Sequence, residues 1–229
     1  MSGISVIIPA LNEAESIGPV VRSMPWEMIA ECLVVDNGST DRTGEIAAQA
    51  GARVVRSARG YGAACFAGAE AALATSDVLV FLDGDGSDVI EDLPRLLAPI
   101  ARGEADFVIG SRIRGVREKG SMLPSQVFAG KLISALVRVF YGFRYTDMGP
   151  FRAIKRECLE RMRMTEMTYG WNLEMQIKAV QDGLRIVEIP VNYRKRIGGT
   201  SKVAGNLGAS VKAAVRIFGV LMRTRRSKG

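Results

Sequence analysis

The sequence predicts an α/β fold with a mostly parallel central sheet, and three observations lead there. Short apolar runs alternate with longer helix-like segments, which is the pattern of β-α-β units. The chain has 229 residues, 48% hydrophobic and 24% charged, enough to bury one substantial core. Polar loops rich in Asp, Asn, Gly and Ser follow the apolar runs, where ligands bind in sheets of this kind.

In order along the chain, Ser5 to Ile8, Cys32 to Val35, Arg53 to Val55, Val78 to Leu82 and Asp106 to Ile109 read as strands. Between them, the segments near Ala14 to Met24, Thr40 to Ala50, Gly62 to Ala74 and Ile90 to Ala101 read as helices. Met1 leads directly into Ile4-Ser5-Val6-Ile7-Ile8, without a basic flank or a long apolar core, so the start reads as a first strand rather than a signal peptide.

The loops carry the chemistry. Asp83-Gly84-Asp85-Gly86-Ser87-Asp88 follows Val78-Leu79-Val80-Phe81 and places several carboxylates at a strand end, a set of hard oxygen donors suited to Mg²⁺ or Mn²⁺ on a diphosphate. The bland alternative is a solvated acidic turn. Pro9 to Glu13 follows the first strand and Asp36 to Asp41 the second, and Glu13 and Asp36 are placed to accept hydrogen bonds from ribose hydroxyls or a base N–H. Ser39, Thr40 and Asp41 also read as helix N-caps. Arg59-Gly60-Tyr61-Gly62 sets a cation and two glycines before a helix, an arrangement that lets backbone N–H groups approach an anion.

Composition removes whole classes of mechanism. No histidine is present, which excludes Ser-His-Asp and Cys-His catalysis and any imidazole base, so proton transfer falls to a carboxylate. Cys32, Cys65 and Cys158 are odd in number and widely spaced, which implies neither disulfides nor zinc and fits a reducing cytoplasm. The net charge of +7 implies an anionic partner. With 7% aromatics and no nucleic-acid motif, phosphorylated ligands or a membrane surface fit better than nucleic acid.

Taken together, Pro9 to Glu13, Val34 to Asp41, Arg59 to Gly62, Asp83-Gly84-Asp85 and Gly110-Ser111-Arg112 resemble the ordered motifs of family 2 glycosyltransferases. Asp147-Met148-Gly149-Pro150-Phe151-Arg152-Ala153 and Tyr193 to Lys202 resemble the acceptor-side motifs of its dolichyl-phosphate mannose synthase and polyprenyl-phosphate glycosyltransferase branch. The resemblance covers about residues 4 to 205. It implies a single-domain nucleotide-sugar transferase fold (GT-A, Rossmann-like), with a catalytic domain over 1–205 divided into a nucleotide-sugar half, 1–112, and an acceptor half, 113–205. It implies an inverting, metal-dependent transfer of a sugar from UDP or GDP to a polyprenyl phosphate at the cytoplasmic membrane face, in cell-envelope synthesis.

Carried over residue by residue, the resemblance implies donor contacts from Pro9, Asn12, Glu13, Asp36, Gly38, Arg59, Gly62, Asp83 and Arg112. Asp83 and Asp85 would act at the reacting diphosphate, with Asp83, Asp85 and Ser87 on the metal. The branch often has Asp-Ala-Asp-Leu-Gln-His where this chain has Asp83 to Asp88, so a Gln that can ligate metal is replaced by Ser87, and Ser87, Asp88 or water is left for that position. Arg152, Arg194, Arg196, Ser201 and Lys202 would hold the acceptor phosphate, with Gly198 and Gly199 in a closing loop.

Because a lipid phosphate is ionised near neutral pH, it needs no base, which suits a chain without histidine. A hydroxyl acceptor would instead require Asp147 or Glu174 as base, with a raised pKa. An inactive nucleotide-sugar-binding or membrane-surface protein is the alternative of another class. Tyr169 and Trp171 could stack on a sugar, though packing is the simpler role.

Some relatives carry a pair of transmembrane helices after the catalytic domain; residues 206–229 read instead as a basic amphipathic helix. Val211, Ala214, Val215, Phe218, Leu221 and Met222 share one face, followed by Arg223, Arg225, Arg226 and Lys228. Gln126 to Phe143 is similar, with Phe128, Leu132, Leu136, Val139 and Phe140 apolar. Both read as interfacial helices, or as packing on the core or on a second copy, which leaves a homo-oligomer open.

Overall fold

A computed structural model describes residues 3–198 and Gly219 of the chain. The apolar runs form β1 (Gly3–Ala10), β2 (Glu31–Asp36), β3 (Arg53–Arg56), β4 (Ser76–Phe81) and β5 (Phe107–Ser111), and two later strands, β6 (Arg152–Lys155) and β7 (Ile186–Pro190), complete the sheet. Between them lie α1 (Ile17–Arg22), α2 (Thr43–Gln49), α3 (Tyr61–Ala71), α4 (Leu93–Ala101) after a 3-10 turn at Ile90–Asp92, α5 (Pro124–Tyr141), α6 (Arg156–Met162) and α7 (Trp171–Gln181).

Strict alternation along the strands fixes two cores. Val6, Ile8, Cys32, Val34, Val78 and Val80 face α1, α2 and α4, while Ile7, Leu33, Val35, Leu79 and Phe81 face α3, α5, α6 and α7. Each large apolar side chain so buried contributes about 1.5–3 kcal/mol. A one-residue slip in any central strand would exchange the two sets. The three cysteines are unpaired and buried, and burial pushes the Cys32 thiol up to about 12.

The sheet order is β3-β2-β1-β4-β6-β5-β7. All neighbours are parallel except β6, which runs antiparallel to both β4 and β5. The chain winds outward from β1 to β3, then returns to lay β4 on the other side of β1. That reversal opens a crevice beyond the carboxyl ends of β1 and β4, where doubly wound sheets bind ligands.

Helix α1 starts at Ile17, three residues later than its apolar pattern predicts, because Thr43 Oγ1 accepts the Glu13 N–H at 2.8 Å and Asp41 accepts the Ala14 N–H at 3.2 Å. The same Asp41 carboxylate holds the Thr43 N–H at 3.0 Å at the start of α2. The predicted Gln126–Phe143 helix is α5, with Ile133 and Val137 buried and Phe128, Leu132, Val139 and Phe140 exposed. The tail helix of 206–229, Gly199, Ser201 and Lys202 lie outside the described residues. Among the described residues no helix is long and apolar enough to cross a membrane.

Candidate active site

The crevice concentrates carboxylates. Asp83 follows β4 half-buried, its N–H bonded to Asp88 Oδ2 at 3.0 Å. Burial, then the neighbouring Asp88 and Asp85 charges, push the Asp83 carboxyl well above its ordinary value, and burial likewise raises Asp88. Asp88 Oδ1 is buried and without a hydrogen-bond partner. This surplus of negative charge on oxygen donors fits a divalent cation such as Mg²⁺ or Mn²⁺.

Asp83 and Asp85 are the residues placed to hold such an ion. Ser87, expected among the ligands, is engaged elsewhere. Its hydroxyl lies 3.0 Å from Tyr193 Oη and hydrogen-bonds Asp85 Oδ1, while its N–H reaches the same oxygen at 2.9 Å. Ser87 therefore fixes the Asp85 rotamer. Among the described residues no three Asp, Glu, Cys or His side chains close a cage, so an ion held here would draw on substrate phosphates and water as well.

A strap, residues 193–198, lies across this acidic loop. Backbone hydrogen bonds run from Arg194 N–H to Ser87 O and from Ile197 N–H to Asp85 O, both 2.9 Å. Gly86 makes the approach possible: its φ is +78°, and a Cβ there would sit 2.5 Å from Ile197 Cδ1. The strap delivers Arg196 into the crevice, with Nη2 3.0 Å from Glu13 Oε1 and 3.7 Å from Asp85 Oδ2. Arg196, expected on the acceptor phosphate, thus sits beside Glu13 and Asp85, and Arg194 is exposed beside Glu91 at 3.4 Å.

The loops after β1 and β2 are tied to each other. Pro9 lies within β1 opposite Val35. Asn12, at φ +51°, accepts the Thr40 N–H at 2.8 Å, and its own N–H reaches Ser39 Oγ at 3.0 Å. Asp36, next to Ala10 in register, accepts the Ser39 N–H at 2.8 Å and keeps a partly open carboxylate at the crevice; Gly38 is exposed at φ +83°.

Asn37, whose role the sequence hid, accepts the Gly60 N–H at 2.7 Å and joins the second loop to the third. That bond corrects the anion-cradle reading of Arg59 to Gly62. The Gly62 N–H also goes to Thr168 O at 3.2 Å, and a Cβ on Gly62 would sit 2.2 Å from Glu166 O. These glycines serve close backbone packing, and Arg59 is exposed.

The residues expected on the acceptor differ from expectation more strongly. Arg112 grips Asp147 with two parallel bonds of 2.8 Å while its guanidinium lies over Tyr193, 5.0 Å from the ring centroid. Arg152 is fully buried on β6, where it donates to the carbonyls of Gly149 and Asn172, and burial lowers its pKa. Expected on the acceptor phosphate, it has no exposed surface and braces these two backbone segments. Trp171 is buried against Phe81, ring centroids 6.4 Å apart, so it offers no face to a sugar; Tyr169 is exposed.

Neither expected base has a raised pKa. Burial pushes Asp147 up, but Arg112 and the Met148 N–H outweigh it and hold the carboxyl below its ordinary value. Glu174 is buried too, yet it accepts bonds from Thr165, the Glu166 N–H and Lys178 Nζ at 2.9 Å and is likewise lowered. Glu188, another residue without a sequence signal, clamps the Thr146 and Asp147 N–H groups at 2.9 and 3.2 Å.

The sequence pattern of glycosyl transferase family 2 matches residues 5–163. An uncharacterised glycosyltransferase of Mycobacterium tuberculosis is 38% identical over 95% of this chain and 97% of its own. The polyprenol monophosphomannose synthase of Mycolicibacterium smegmatis is 31% identical, covering 98% of this chain and 89% of its own. The crystal structure of glucosyl-3-phosphoglycerate synthase from M. tuberculosis with Mn²⁺, UDP-glucose and phosphoglyceric acid superposes with a TM-score of 0.75 at 25% identity, over 98% of this chain and 80% of that one.

Proposed function

Since the chain belongs to glycosyl transferase family 2, we propose that it transfers one sugar, with inversion, from a UDP- or GDP-sugar to a polyprenyl phosphate at the inner face of the membrane. One observation carries the choice of acceptor: Asp147 and Glu174, the two carboxylates a hydroxyl acceptor would need, are both held ionised by internal partners. A phosphate nucleophile is already deprotonated and makes no such demand. The polyprenol relative supports the same reading, while the glucosyl-3-phosphoglycerate synthase of similar fold was crystallised with phosphoglyceric acid, which keeps a different phosphate-bearing partner in the test below.

Residues 1–112 form the donor half. Glu13 and Asp36 stand at the ends of β1 and β2 to receive the nucleoside, and Asp83 and Asp85 would hold Mg²⁺ or Mn²⁺ on the diphosphate. When bound, that ion supplies Lewis-acid neutralisation of the leaving nucleotide. Arg196 enters from the strap beside the same carboxylates and adds a guanidinium where the diphosphate would lie. Residues 113–205 form the acceptor half, where Asp147, paired with Arg112 of the donor half, and the buried Arg152 shape the wall, and Ser201 and Lys202, next after the strap in sequence, are the proposed contacts of the acceptor phosphate. The exposed apolar face of α5 gives the protein a means of meeting the bilayer in which that acceptor resides.

The test is nucleotide release across a panel of UDP- and GDP-sugars, with Mg²⁺ or Mn²⁺, each with and without a short polyprenyl phosphate. Release requiring both metal and lipid phosphate is the expected result. Release stimulated only by phosphoglycerate or a sugar hydroxyl would replace the acceptor.

A further inference from the structure

The two carboxylate oxygens of Asp85 stand in unlike surroundings. Oδ1 receives two hydrogen bonds from Ser87, one from its N–H at 2.9 Å and one from its hydroxyl. A carboxylate oxygen offers about two lone-pair directions, and on Oδ1 both are taken. Oδ2 has Arg196 Nη2 at 3.7 Å, beyond hydrogen-bond reach, and is the oxygen left open to a cation.

Ser87 does not hold its place alone, because a serine hydroxyl rotates to suit its partners. Its second partner is Tyr193 Oη, 3.0 Å from Ser87 Oγ and 106 residues away in sequence. Ser87 has one hydroxyl hydrogen, which the acceptor-only carboxylate takes, so the Tyr193 O–H donates to Ser87 Oγ. The two O–H groups then point the same way, and each bond polarises the next along a chain that ends on Asp85.

Tyr193 is anchored from outside the acidic loop. Its N–H donates to Val116 O and its carbonyl accepts the Glu118 N–H, both at 2.9 Å. Its backbone bridges to Asp88 on one side and to Arg117 on the other. Its ring lies under the Arg112 guanidinium, 5.0 Å from carbon to centroid. A phenylalanine would serve that packing equally well. Only the hydroxyl reaches the acidic loop, and packing leaves it without a purpose.

We infer that Tyr193 is a positioning residue for metal binding: acting through Ser87, its hydroxyl fixes Asp85 Oδ1 and leaves Oδ2 as the oxygen offered to a divalent cation. The inference rests on the proposed role of Asp85 as a ligand, and it adds what sets that ligand's orientation. Tyr193 needs no contact of its own with the ion. The cation affinity of the donor side is thereby tied to the folding of the strap against residues 116–118.

The probe is Mn²⁺, added to the full chain alone and with UDP or GDP, its binding followed by loss of the free-ion paramagnetic resonance signal. Tyr193→Phe keeps the ring and removes the hydroxyl, and is expected to weaken Mn²⁺ binding roughly tenfold, the scale on which partners of ligating side chains act. Ser87→Ala should weaken it at least as much. The double variant should bind no more weakly than Ser87→Ala alone, since Tyr193 acts through that hydroxyl. In turnover, Tyr193→Phe should raise the metal concentration for half-maximal rate by the same factor, with kcat at saturating metal within about twofold of wild type.

Thermal melts without metal identify a misfolded variant. A lower Tm with unchanged Mn²⁺ affinity in Tyr193→Phe would make the hydroxyl merely structural and overturn the inference. Additive losses in the double variant would also overturn it. Unaltered affinity in Ser87→Ala would break the chain at its middle, whatever Tyr193→Phe does. Mn²⁺ binding that is absent from the wild type, or kept by Asp85→Ala, would instead remove the ligand reading beneath the inference. Loss in Asp85→Ala with wild-type binding in Tyr193→Phe would leave that reading standing and sink the positioning role alone.

Discussion

The two sides of the crevice hold their charge in opposite states. On the donor side Asp83, Asp85 and Asp88 crowd together, two of them with raised carboxyls, and one buried oxygen of Asp88 has no partner. On the acceptor side the charges are closed into internal sets: Arg112 with Asp147, Arg152 with backbone carbonyls, Glu174 with Lys178 and Thr165. The contrast teaches that charge density alone does not mark a ligand site. A cluster with more carboxylates than cations awaits a counter-charge, whereas a paired one shapes a wall.

The largest expected effect tests the uncompensated cluster. Asp85→Ala should lower sugar transfer on the order of 10³-fold and abolish the rise in melting temperature that Mg²⁺ or Mn²⁺ gives the wild type. A variant still stabilised by the ions would show that the cluster is not their site. Next comes the strut: Arg152→Met leaves carbonyls unpaired in the core and should cost about 3 kcal/mol, a fall in Tm of roughly 6–12 °C, with KM for both substrates unchanged in the folded fraction. A large KM change without loss of stability would return Arg152 to substrate binding.

The Arg112–Asp147 pair sharpens the comparison through pH. Asp147 is held below the ordinary carboxylate pKa, so its stabilising effect is fully present above about pH 4 and is lost as pH falls through the lowered value. Asp147→Asn should therefore be about 2 kcal/mol less stable than wild type at pH 7, with the difference shrinking in thermal melts as pH falls below about 4. The smallest effect belongs to Glu174→Gln, about 1 kcal/mol in stability with kcat within about twofold. A fall of a hundredfold or more in kcat would instead make Glu174 a base and dissolve the distinction between the two sides.

The donor half was the more legible in sequence because its chemistry follows local rules. Strand alternation places Pro9, Asp36 and Asp83 at carboxyl ends, and the loops that follow are short enough for sequence neighbours to be neighbours in space. β6 and β7 and their partners escaped because four-to-five-residue strands with mixed side chains carry little period-2 signal. Arg152 and Glu174 misled for a different reason: a charged residue reads as exposed unless its partners are known, and those partners are backbone groups at 149, 165, 166 and 172. Ser87 and Arg196 depend on contacts across more than a hundred residues, Tyr193 for one and Glu13 for the other. The motif around Tyr193 pointed to the strap as a functional segment without disclosing which substrate it would cover.

Arg196 has a kinetic consequence. Its guanidinium stands between Glu13 and Asp85, so a diphosphate bound there would exchange its own oxygens for these carboxylates as partners of a tethered cation. Since the strap carrying that cation is stitched by backbone bonds to Asp85 and Ser87, a nucleotide bound at those carboxylates would act on the strap as well. On the proposed reading the expected order is sequential: donor first, acceptor second, nucleotide last to leave. Product inhibition by the free nucleotide would be competitive toward the donor alone, and the reactive sugar would spend little time facing water without its intended partner.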